Sequence, residues 1–318
     1  MVKLNPDENL EAFLSANAWG GSILEPLTGD ASVRKYSRLK KNGSSAILMD
    51  ASRVPESVHP FIQIDEHLRR LGFSAPAMLA RNEDRGLLLL EDFGDATFAG
   101  LLTDGNDATT LYTLAVDVLI ALHRDPQAIP SGLRPYDPEK MLSDIELHLE
   151  LHSIPESGQL EFKEAWREVL PSAHEVPSSL LLRDYHVANL MRLPERDGIR
   201  QAGLLDFQDA YQGPVTYDLV SLLEDARRDI AEDLKSRMLR RYLDHFPTLD
   251  RDRFKTSWAI LASLRHTRVL AIFERLSRLE GKHEYKRLHS PRVEMQLHTA
   301  LKHPRMARVK KWIERYAR

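Results

Sequence analysis

Side chains that could act as a base or hold a metal ion are concentrated in residues 179–209. Asp184 follows an apolar run and is followed five residues later by Asn189, and Asp206 ends a second apolar run. A segment at 194–198, whose Pro, Asp and Gly favour a turn, separates the two runs. The pattern predicts two short buried strands joined by a turn, each of which delivers a carboxylate to the same edge of a core.

This set of residue types suits phosphoryl transfer. The reaction needs a group that positions the attacking hydroxyl, and metal ligands that neutralise the phosphates. Asp184 is the candidate base, and Asn189 and Asp206 offer the oxygen donors that Mg²⁺ prefers. A single Asp after a strand is more often a cap or a turn former. Here the agreement of spacing, residue type and flanking apolar runs favours a catalytic site.

The composition excludes several classes of protein. The 318 residues are 42% hydrophobic and 29% charged, which is typical of a globular protein with one large domain or two lobes. A net charge of −3 argues against nucleic-acid binding, and the absence of Cys excludes disulfides, thiolate metal sites and a Cys nucleophile. No apolar run reaches the roughly 18 residues of a transmembrane helix. Because the N-terminus also lacks the apolar core of a signal peptide, we expect a cytoplasmic protein with no membrane partner.

Strand-like segments near the N-terminus predict a small antiparallel sheet. They span residues 22–27, 33–39 and 45–50, and a hairpin signal at 40–43 joins the last two. The turn between the first two has small side chains that would let backbone N–H groups approach phosphate oxygens, although most such turns are only turns. Its candidate phosphate-binding residues are Gly29, Asp30, Ala31 and Ser32, with Arg34 nearby. Neither a P-loop nor a dinucleotide-binding fingerprint occurs in the chain.

The spacing of Asp184 and Asn189, followed by the apolar-Asp-Phe segment at Asp206, resembles the catalytic loop and metal-binding segment of the protein-kinase-like superfamily. It is more closely similar to the aminoglycoside phosphotransferase family, which phosphorylates small molecules. The resemblance implies an α+β, bilobal protein-kinase-like fold. A small antiparallel lobe over residues 1–92 would bind the nucleotide, and a mainly helical lobe over 93–318 would carry catalysis and bind the acceptor. ATP and Mg²⁺ are the implied cofactors, with Asn189 and Asp206 as metal ligands.

Two positions in the small lobe bear on nucleotide binding. The tripeptide at 92–94 spells the metal-binding Asp-Phe-Gly of protein kinases, but it precedes Asp184 by about 90 residues. We interpret it as a hinge, where backbone groups at Glu91 and Phe93 would bind adenine. On the third strand, Met49 stands where most relatives carry a Lys that contacts the phosphates. A cation between residues 34 and 38 could replace that Lys.

The region after the catalytic stretch supplies candidates for loop support and acceptor binding. Asp218 resembles a family residue that braces the catalytic loop, and it could equally be an ordinary helix N-cap. Asp209, Glu224 and Arg227 are the substrate-binding candidates. Helices are expected at 231–246, 251–279, 292–301 and 304–317.

Within the family, one branch is similar to this sequence piece by piece. The segments ILMDA, LLEDFGD, RDYHVANLM and GLLDFQDAYQGPVTYDLVSLLEDARRD resemble bacterial anomeric sugar kinases of cell-wall recycling, which act on N-acetylmuramate and N-acetylglucosamine. That branch has the same Lys-free third strand. Residues 281–318 hold 11 Lys or Arg against 3 Glu, which suits a neutral or anionic sugar better than a polycationic aminoglycoside. An aminoglycoside, another hydroxyl acceptor and a catalytically silent ATP-binding protein remain alternatives, and the oligomeric state stays open.

A possible metal pair lies outside this stretch. His148 and His152 are four residues apart on a helix expected at 138–152, a spacing that brings two side chains to one face. Because the sequence offers no third ligand, we expect a solvated helix face here.

Overall fold

The computed structural model describes the backbone of residues 6–27 and 34–316, with side chains from residue 9 onward. The chain divides into two compact units. One takes Met1–Gly105 and Ala188–Asp209, and the other takes Asn106–Val187 and Ala210–Arg318. We call them the sheet unit and the helical unit. The predicted division into functional lobes at residue 92 stays a prediction.

The described residues form the following strands and helices. The strands are β1 (Ile23–Pro26), β2 (Lys35–Lys41), β3 (Ser44–Asp50), β4 (Met78–Asn82), β5 (Leu87–Glu91), β6 (Ser178–Leu181), β7 (Leu190–Arg192), β8 (Ala202–Leu204) and β9 (Tyr211–Pro214). The helices are α1 (Pro6–Ala16), α2 (Val58–Arg70), α3 (Phe98–Thr103), α4 (Ala108–Arg124), α5 (Pro138–Glu150), α6 (Glu156–Val169), α7 (Thr216–Leu223), α8 (Glu232–Asp244), α9 (Arg251–Glu280), α10 (His283–Ala300) and α11 (Ala307–Tyr316). The mixed α and β composition predicted from the sequence is confirmed.

The sheet unit is built on five antiparallel strands in the order β1-β2-β3-β5-β4. The predicted hairpin joins β2 and β3, and Asn42 and Gly43 both have the positive φ that its tight turn requires. Four consecutive leucines make β5 the most buried strand of these five, which fits its position between two neighbours. Helix α2 packs its Phe61 ring on that of Phe207 at 5.0 Å.

The two strands predicted within residues 179–209 do not pair with each other. Strand β6, which precedes Asp184, pairs with β9, and β8, which precedes Asp206, pairs with β7. The two acid-bearing strands therefore belong to different sheets. The turn at 194–198 joins β7 to β8. Strand β7 has only three residues, which is too short to show a strand period in the sequence.

The helical unit is organised around α9, a helix of 30 residues. Its core combines aromatic and aliphatic side chains of α5, α6, α9 and α11, including the buried Trp166, Phe162 and Trp312. Helix α10 begins at His283, nine residues before the predicted start, because the helix continues through Pro291. None of the described helices is long and apolar enough to cross a membrane.

The His148 and His152 pair differs from the predicted solvated face. His148 is 8% exposed, and its ring lies against those of Phe162 and Trp312. Burial lowers the pKa of His148 to about 4, so its imidazole is neutral at pH 7. The described residues contain no cluster of three or more His, Asp or Glu side chains that could hold a metal ion. The aromatic neighbours come from α6 and α11, which local sequence does not reveal.

Candidate active site

The loop that follows β6 is held in place by Asp218 of α7. The two carboxylate oxygens of Asp218 accept backbone N–H bonds from Leu182 at 2.7 Å and from Arg183 at 2.9 Å. Arg183 has a φ of 68°, a left-handed conformation that residues other than Gly, Asn and Asp seldom adopt. Burial raises the pKa of Asp218 to about 7, although the two N–H bonds act in the opposite direction. This is the geometry that a bracing residue would have.

The Arg183 side chain is anchored inside the helical unit. Its guanidinium lies 2.5 Å from Asp144 Oδ2 and 5.2 Å from the ring centroids of Tyr136 and Tyr211. Lys140 Nζ contacts the other Asp144 oxygen at 2.5 Å. The loop is therefore held both through the Arg183 side chain and through the backbone bonds to Asp218.

Asp184 is the next residue, and its carboxylate is 32% exposed. Arg265 Nη1 of α9 lies 3.7 Å from Asp184 Oδ1. Burial acts to raise the pKa of Asp184, but the positive charges of Arg268 and Arg265 outweigh it and hold the pKa below its usual range. The carboxylate is therefore ionised at neutral pH and can accept a hydrogen bond from a hydroxyl group.

Asn189 and Asp206 meet inside the sheet unit. Asn189 Nδ2 donates to Asp206 Oδ2 at 3.3 Å, and Leu205 N–H donates to the Asn189 carbonyl at 3.0 Å. Asp206 is exposed and has a φ of 60°, which Asp tolerates better than most residues. Gln208 Nε2 donates to Asp206 Oδ1 at 2.7 Å and orients the carboxylate. The pairing of β7 with β8 is what brings these two oxygen-bearing side chains together.

Tyr36 of β2 lies close enough to Asp206 to be affected by its charge. Burial raises the pKa of the Tyr36 phenol to about 12, with Arg34 acting to lower it and Asp206 to raise it further. Arg34 and Asp206 therefore act on the same phenol with opposite signs. The phosphate-binding role of Arg34 stays a prediction. Gly29, Asp30, Ala31 and Ser32 lie outside the described residues.

The segment after β5 is fixed by two arginines. Arg38 contacts Asp92 at 2.7 Å and Asp95 at 2.8 Å and donates to the Gly94 carbonyl at 3.0 Å. Burial acts to raise the pKa of Asp92, but Arg38 together with the hydrogen bonds of Gly94 N–H and Ser45 outweighs it and leaves the pKa below the usual range. Asp92 is therefore occupied by an arginine, which fits a hinge better than a metal ligand.

Glu91 and Phe93 are held by the β7–β8 connection. Arg196 forms an ion pair with Glu91, and its guanidinium lies 5.1 Å from the Phe93 ring centroid. A Cβ at Gly203 would come within 2.8 Å of the Phe93 ring, so only Gly allows this approach. The Glu91 side chain also accepts from Ala77 N–H at 3.0 Å.

The third strand carries no cation at the position expected for a phosphate-binding Lys. Met49 is fully buried in β3, opposite Tyr36 and Leu88. On α2, Glu66 is exposed and pairs with Arg81 at 2.9 Å. Asp65 is instead the acid that faces the interior: it is fully buried, and neither oxygen has a hydrogen-bond partner among the described residues. We missed Asp65, although its spacing of four from Phe61 places it on the apolar face of the helix.

Comparison with known proteins identifies the family. The profile of a family described as "Phosphotransferase enzyme family" matches residues 23–254. The chain belongs to this family. An N-acetylmuramate/N-acetylglucosamine kinase from Caulobacter vibrioides is 33% identical over 347 residues, covering 96% of this chain and 95% of the relative. A protein of the same name from Pseudomonas putida is 32% identical, covering 88% and 85% of the two chains.

Solved structures agree with the predicted fold. Choline kinase LicA from Streptococcus pneumoniae has a TM-score of 0.66 at 15% identity, covering 92% of this chain and 99% of the other. A choline/ethanolamine kinase family protein from Mesorhizobium loti has a TM-score of 0.63 at 15% identity, covering 97% and 99%. The predicted protein-kinase-like fold is confirmed, and the chain is a phosphotransferase by its family.

The residues predicted to bind the acceptor of this phosphotransferase differ in how many contacts they make within the protein. Glu224 is buried, and its oxygens contact Lys235 Nζ at 2.6 Å, Trp258 Nε1 at 3.0 Å and His266 Nε2 at 2.7 Å. Burial opposes ionisation of Glu224, but the bonds with His266 and Lys235 dominate and lower its pKa to about 2. The Glu224 carboxylate thus holds three elements of the helical unit together.

Arg227 and Asp209 are both exposed. Arg227 Nη1 lies 3.5 Å from Nε2 of His186, a buried residue two positions after Asp184 whose Nδ1 has no hydrogen-bond partner among the described residues. We did not predict a role for His186. Burial, the largest influence, lowers its pKa, so the ring is neutral at pH 7 and can both donate and accept a hydrogen bond.

Proposed function

We propose that this phosphotransferase transfers the γ-phosphoryl group of ATP to the anomeric hydroxyl of an N-acetylated amino sugar, N-acetylmuramate or N-acetylglucosamine. The observation that carries the proposal is the identity of 33% with a kinase of that name across nearly the whole of both chains. An ATP-dependent reaction fits a location in the cytoplasm, which remains part of the proposal.

Asp184 is the residue we assign to the acceptor. Its ionised carboxylate would accept a hydrogen bond from the sugar hydroxyl and orient it for in-line attack on the phosphorus atom. As the bond between the sugar oxygen and the γ-phosphorus forms, the bond from that phosphorus to the β,γ-bridging oxygen breaks and ADP leaves. The hydroxyl proton passes to the Asp184 carboxylate or to the transferred phosphate. Since little covalent chemistry is asked of the protein, most of the rate would come from positioning and charge stabilisation.

Asn189 and Asp206 are the residues that would hold Mg²⁺. They fit the ion, because they present an amide and a carboxylate at one point of the sheet unit, and Mg²⁺ takes few protein ligands beside phosphate oxygens and water. When bound, the ion would neutralise charge on the transferred phosphate. Gln208 keeps the Asp206 carboxylate oriented for this role.

The nucleotide itself would contact the sheet unit. We propose that adenine binds at the backbone of Glu91 and Phe93, beside Met49, and that the phosphates bind at Gly29, Asp30, Ala31, Ser32 and Arg34. The ion pairs of Arg38 and Arg196 support the hinge, because they hold the segment after β5 in one conformation.

Product analysis tests the proposed function. Purified protein with Mg-ATP should release ADP and form a sugar monophosphate from N-acetylglucosamine and from N-acetylmuramate. The methyl glycoside of N-acetylglucosamine, whose C1 oxygen is blocked, should give no product. Turnover of kanamycin, choline or homoserine in place of the sugars would keep the phosphotransferase and reject the amino sugar, and ATP binding without turnover of any acceptor would indicate a silent kinase-like protein.

A further inference from the structure

Helix α9 carries two arginines, one helical turn apart, whose positive charges act on Asp184. Arg265 is buried, donates to the Arg183 carbonyl at 3.5 Å and lies 3.7 Å from Asp184 Oδ1. Arg268 is half-buried, and its charge acts on Asp184, Arg183, Tyr136 and Tyr217. All these residues belong to the helical unit.

Among the residues that the structure describes, Arg268 has no ion-pair partner of its own, unlike the other cations around Asp184. Arg183 is paired with Asp144, and Arg265 lies beside the Asp184 carboxylate. Within residues 6–27 and 34–316, no hydrogen-bond acceptor or carboxylate contacts the Arg268 guanidinium at ion-pair distance. Partial burial of an arginine without such a partner costs desolvation free energy, and binding of an anion compensates this cost.

The charges around Asp184 leave a positive surplus. Four cationic side chains face three carboxyl groups, one of which has a pKa near 7. They are Lys140, Arg183, Arg265 and Arg268 against Asp144, Asp184 and Asp218. Close by, Arg227 and Asp225 offset each other next to His186. The surroundings of the acceptor hydroxyl are therefore prepared for a substrate that carries negative charge.

We propose that Arg268 binds the carboxylate of an acidic amino sugar and so sets the preference between the two acceptors of the proposed function, on which this inference rests. N-acetylmuramate and N-acetylglucosamine share a ring and differ by the lactyl ether at C3, which ends in a carboxylate. C3 is two ring carbons from the reacting C1, so a cation one helical turn from the Arg265–Asp184 contact is suitably placed. A planar guanidinium can bind a carboxylate with two parallel hydrogen bonds.

The transferred phosphate is the competing anion for Arg268. The charge on the phosphate would already be met by the metal ion at Asn189 and Asp206, whereas the lactyl carboxylate has no other cation assigned to it. The two possibilities differ in an observable way. A residue that binds the lactyl group affects one acceptor, and a residue that binds the phosphate affects both.

Steady-state kinetics with both sugars test this inference. The proteins are wild type, Arg268→Gln, Arg268→Lys and, as a matched control, Arg275→Gln, an exposed arginine two turns further along α9. In Arg268→Gln, we expect kcat/KM for N-acetylmuramate to fall roughly 10- to 100-fold more than that for N-acetylglucosamine, the effect of one or two charge-assisted hydrogen bonds. The loss should appear mainly in KM. Arg268→Lys should recover part of it, and Arg275→Gln should leave the ratio of the two acceptors at the wild-type value.

The other outcomes overturn the inference. If kcat/KM falls equally for both sugars in a variant that unfolds at the wild-type temperature, Arg268 acts on the phosphate or on Asp184. If neither kcat/KM nor the ratio of the two sugars changes, Arg268 takes no part in acceptor recognition. If Arg268→Gln does not fold, the same ratio measured in Arg268→Lys decides, and an unchanged ratio there again rejects the inference. Wild-type turnover of N-acetylglucosamine is read first, since its absence would reject the proposed function itself.

Discussion

Asp218 accepts a hydrogen bond of 2.9 Å from the backbone N–H of Arg183, the residue directly before the proposed base. The other Asp218 oxygen accepts from Leu182 N–H at 2.7 Å. Together these bonds stabilise the left-handed backbone at Arg183, which costs free energy in a residue with a side chain. The position of the Asp184 carboxylate therefore depends on a residue in α7, 34 positions later in the sequence.

Replacing Asp218 with Asn should weaken both stability and turnover. An amide has one acceptor oxygen, so one backbone N–H would face an NH₂ group and lose its bond inside the protein. We expect a loss of about 1–3 kcal/mol in the free energy of unfolding and a lower kcat, measured by urea denaturation and ADP release. The exposed Asp244 provides the matched control, since Asp244→Asn should change neither. A fully active and stable Asp218→Asn variant would show that the loop holds its conformation without this residue.

Replacing Asp184 with Asn should abolish most of the turnover and leave the fold intact. The amide keeps the size of the side chain but cannot accept the hydroxyl proton, and it removes the negative charge that Arg265 and Arg268 face. We expect kcat to fall about 10²–10⁴-fold, while the dissociation constant of ATP, measured by calorimetry, stays within a few-fold of wild type. Wild-type turnover by the variant would remove Asp184 from the reaction.

Replacing Glu224 with Gln should affect stability more than catalysis, because all three partners of its carboxylate are side chains of the helical unit. Breaking this buried pair should cost roughly 3 kcal/mol at pH 7. The folded pKa of Glu224 lies below its ordinary value, so its contribution is present above pH 4.5 and is lost as the pH falls toward about 2. The difference in unfolding free energy between wild type and variant should shrink over that range.

The exposed pair of Glu280 and Lys282 supplies the comparison for Glu224. A Glu280→Gln variant should lose at most about 1 kcal/mol, as surface ion pairs do. If Glu224→Gln instead retains its stability and raises the KM of the sugar, Glu224 contacts the acceptor as its sequence position predicted.

Asp65 should make the protein more stable as the pH falls from about 7 toward 4. Burial, the largest influence, raises its pKa to about 7 in the folded state, while the ordinary value is 3.8. Between these two values the folded state holds a proton that the unfolded state has lost, so lowering the pH favours folding. Asp65→Asn should unfold at a higher urea concentration than wild type at pH 8, with a smaller difference at pH 5. The pKa of Asp218 is also raised in the folded state, so Asp218 contributes a pH dependence of stability in the same direction. The Asp65→Asn variant should therefore show a weaker pH dependence of stability than wild type, but should not lose it. A dependence equal to that of wild type would mean that Asp65 is ionised in the folded protein.

The elements with a long or strong pattern were predictable from the sequence. The Asn-Gly hairpin between β2 and β3 is determined by local chemistry, and the structure has these strands within a residue or two of the predicted bounds. The leucine run of β5 is likewise a purely local pattern. The spacing of Asp184, Asn189 and Asp206 also needed no tertiary information, because a loop and a short hairpin carry all three.

The features that were missed depend on contacts between distant parts of the chain. The partners of β6 and β8 are decided by β9 and by a strand of three residues, and neither shows a period of its own. The burial of His148 depends on Trp312, 164 positions away. The hydrogen bonds of Glu224 involve His266 and Trp258 of α9. The helical periodicity of α9 predicts a helix but does not show which acid these side chains contact.

The most direct test of phosphoryl transfer to an amino sugar is the mass and regiochemistry of the product formed with Mg-ATP and N-acetylglucosamine. Wild type should convert the sugar to its 1-phosphate with one ADP released per product, and Asp184→Asn should form it at a small fraction of that rate. Unchanged sugar in the presence of protein that binds ATP, or equal rates for the two proteins, would contradict the assignment.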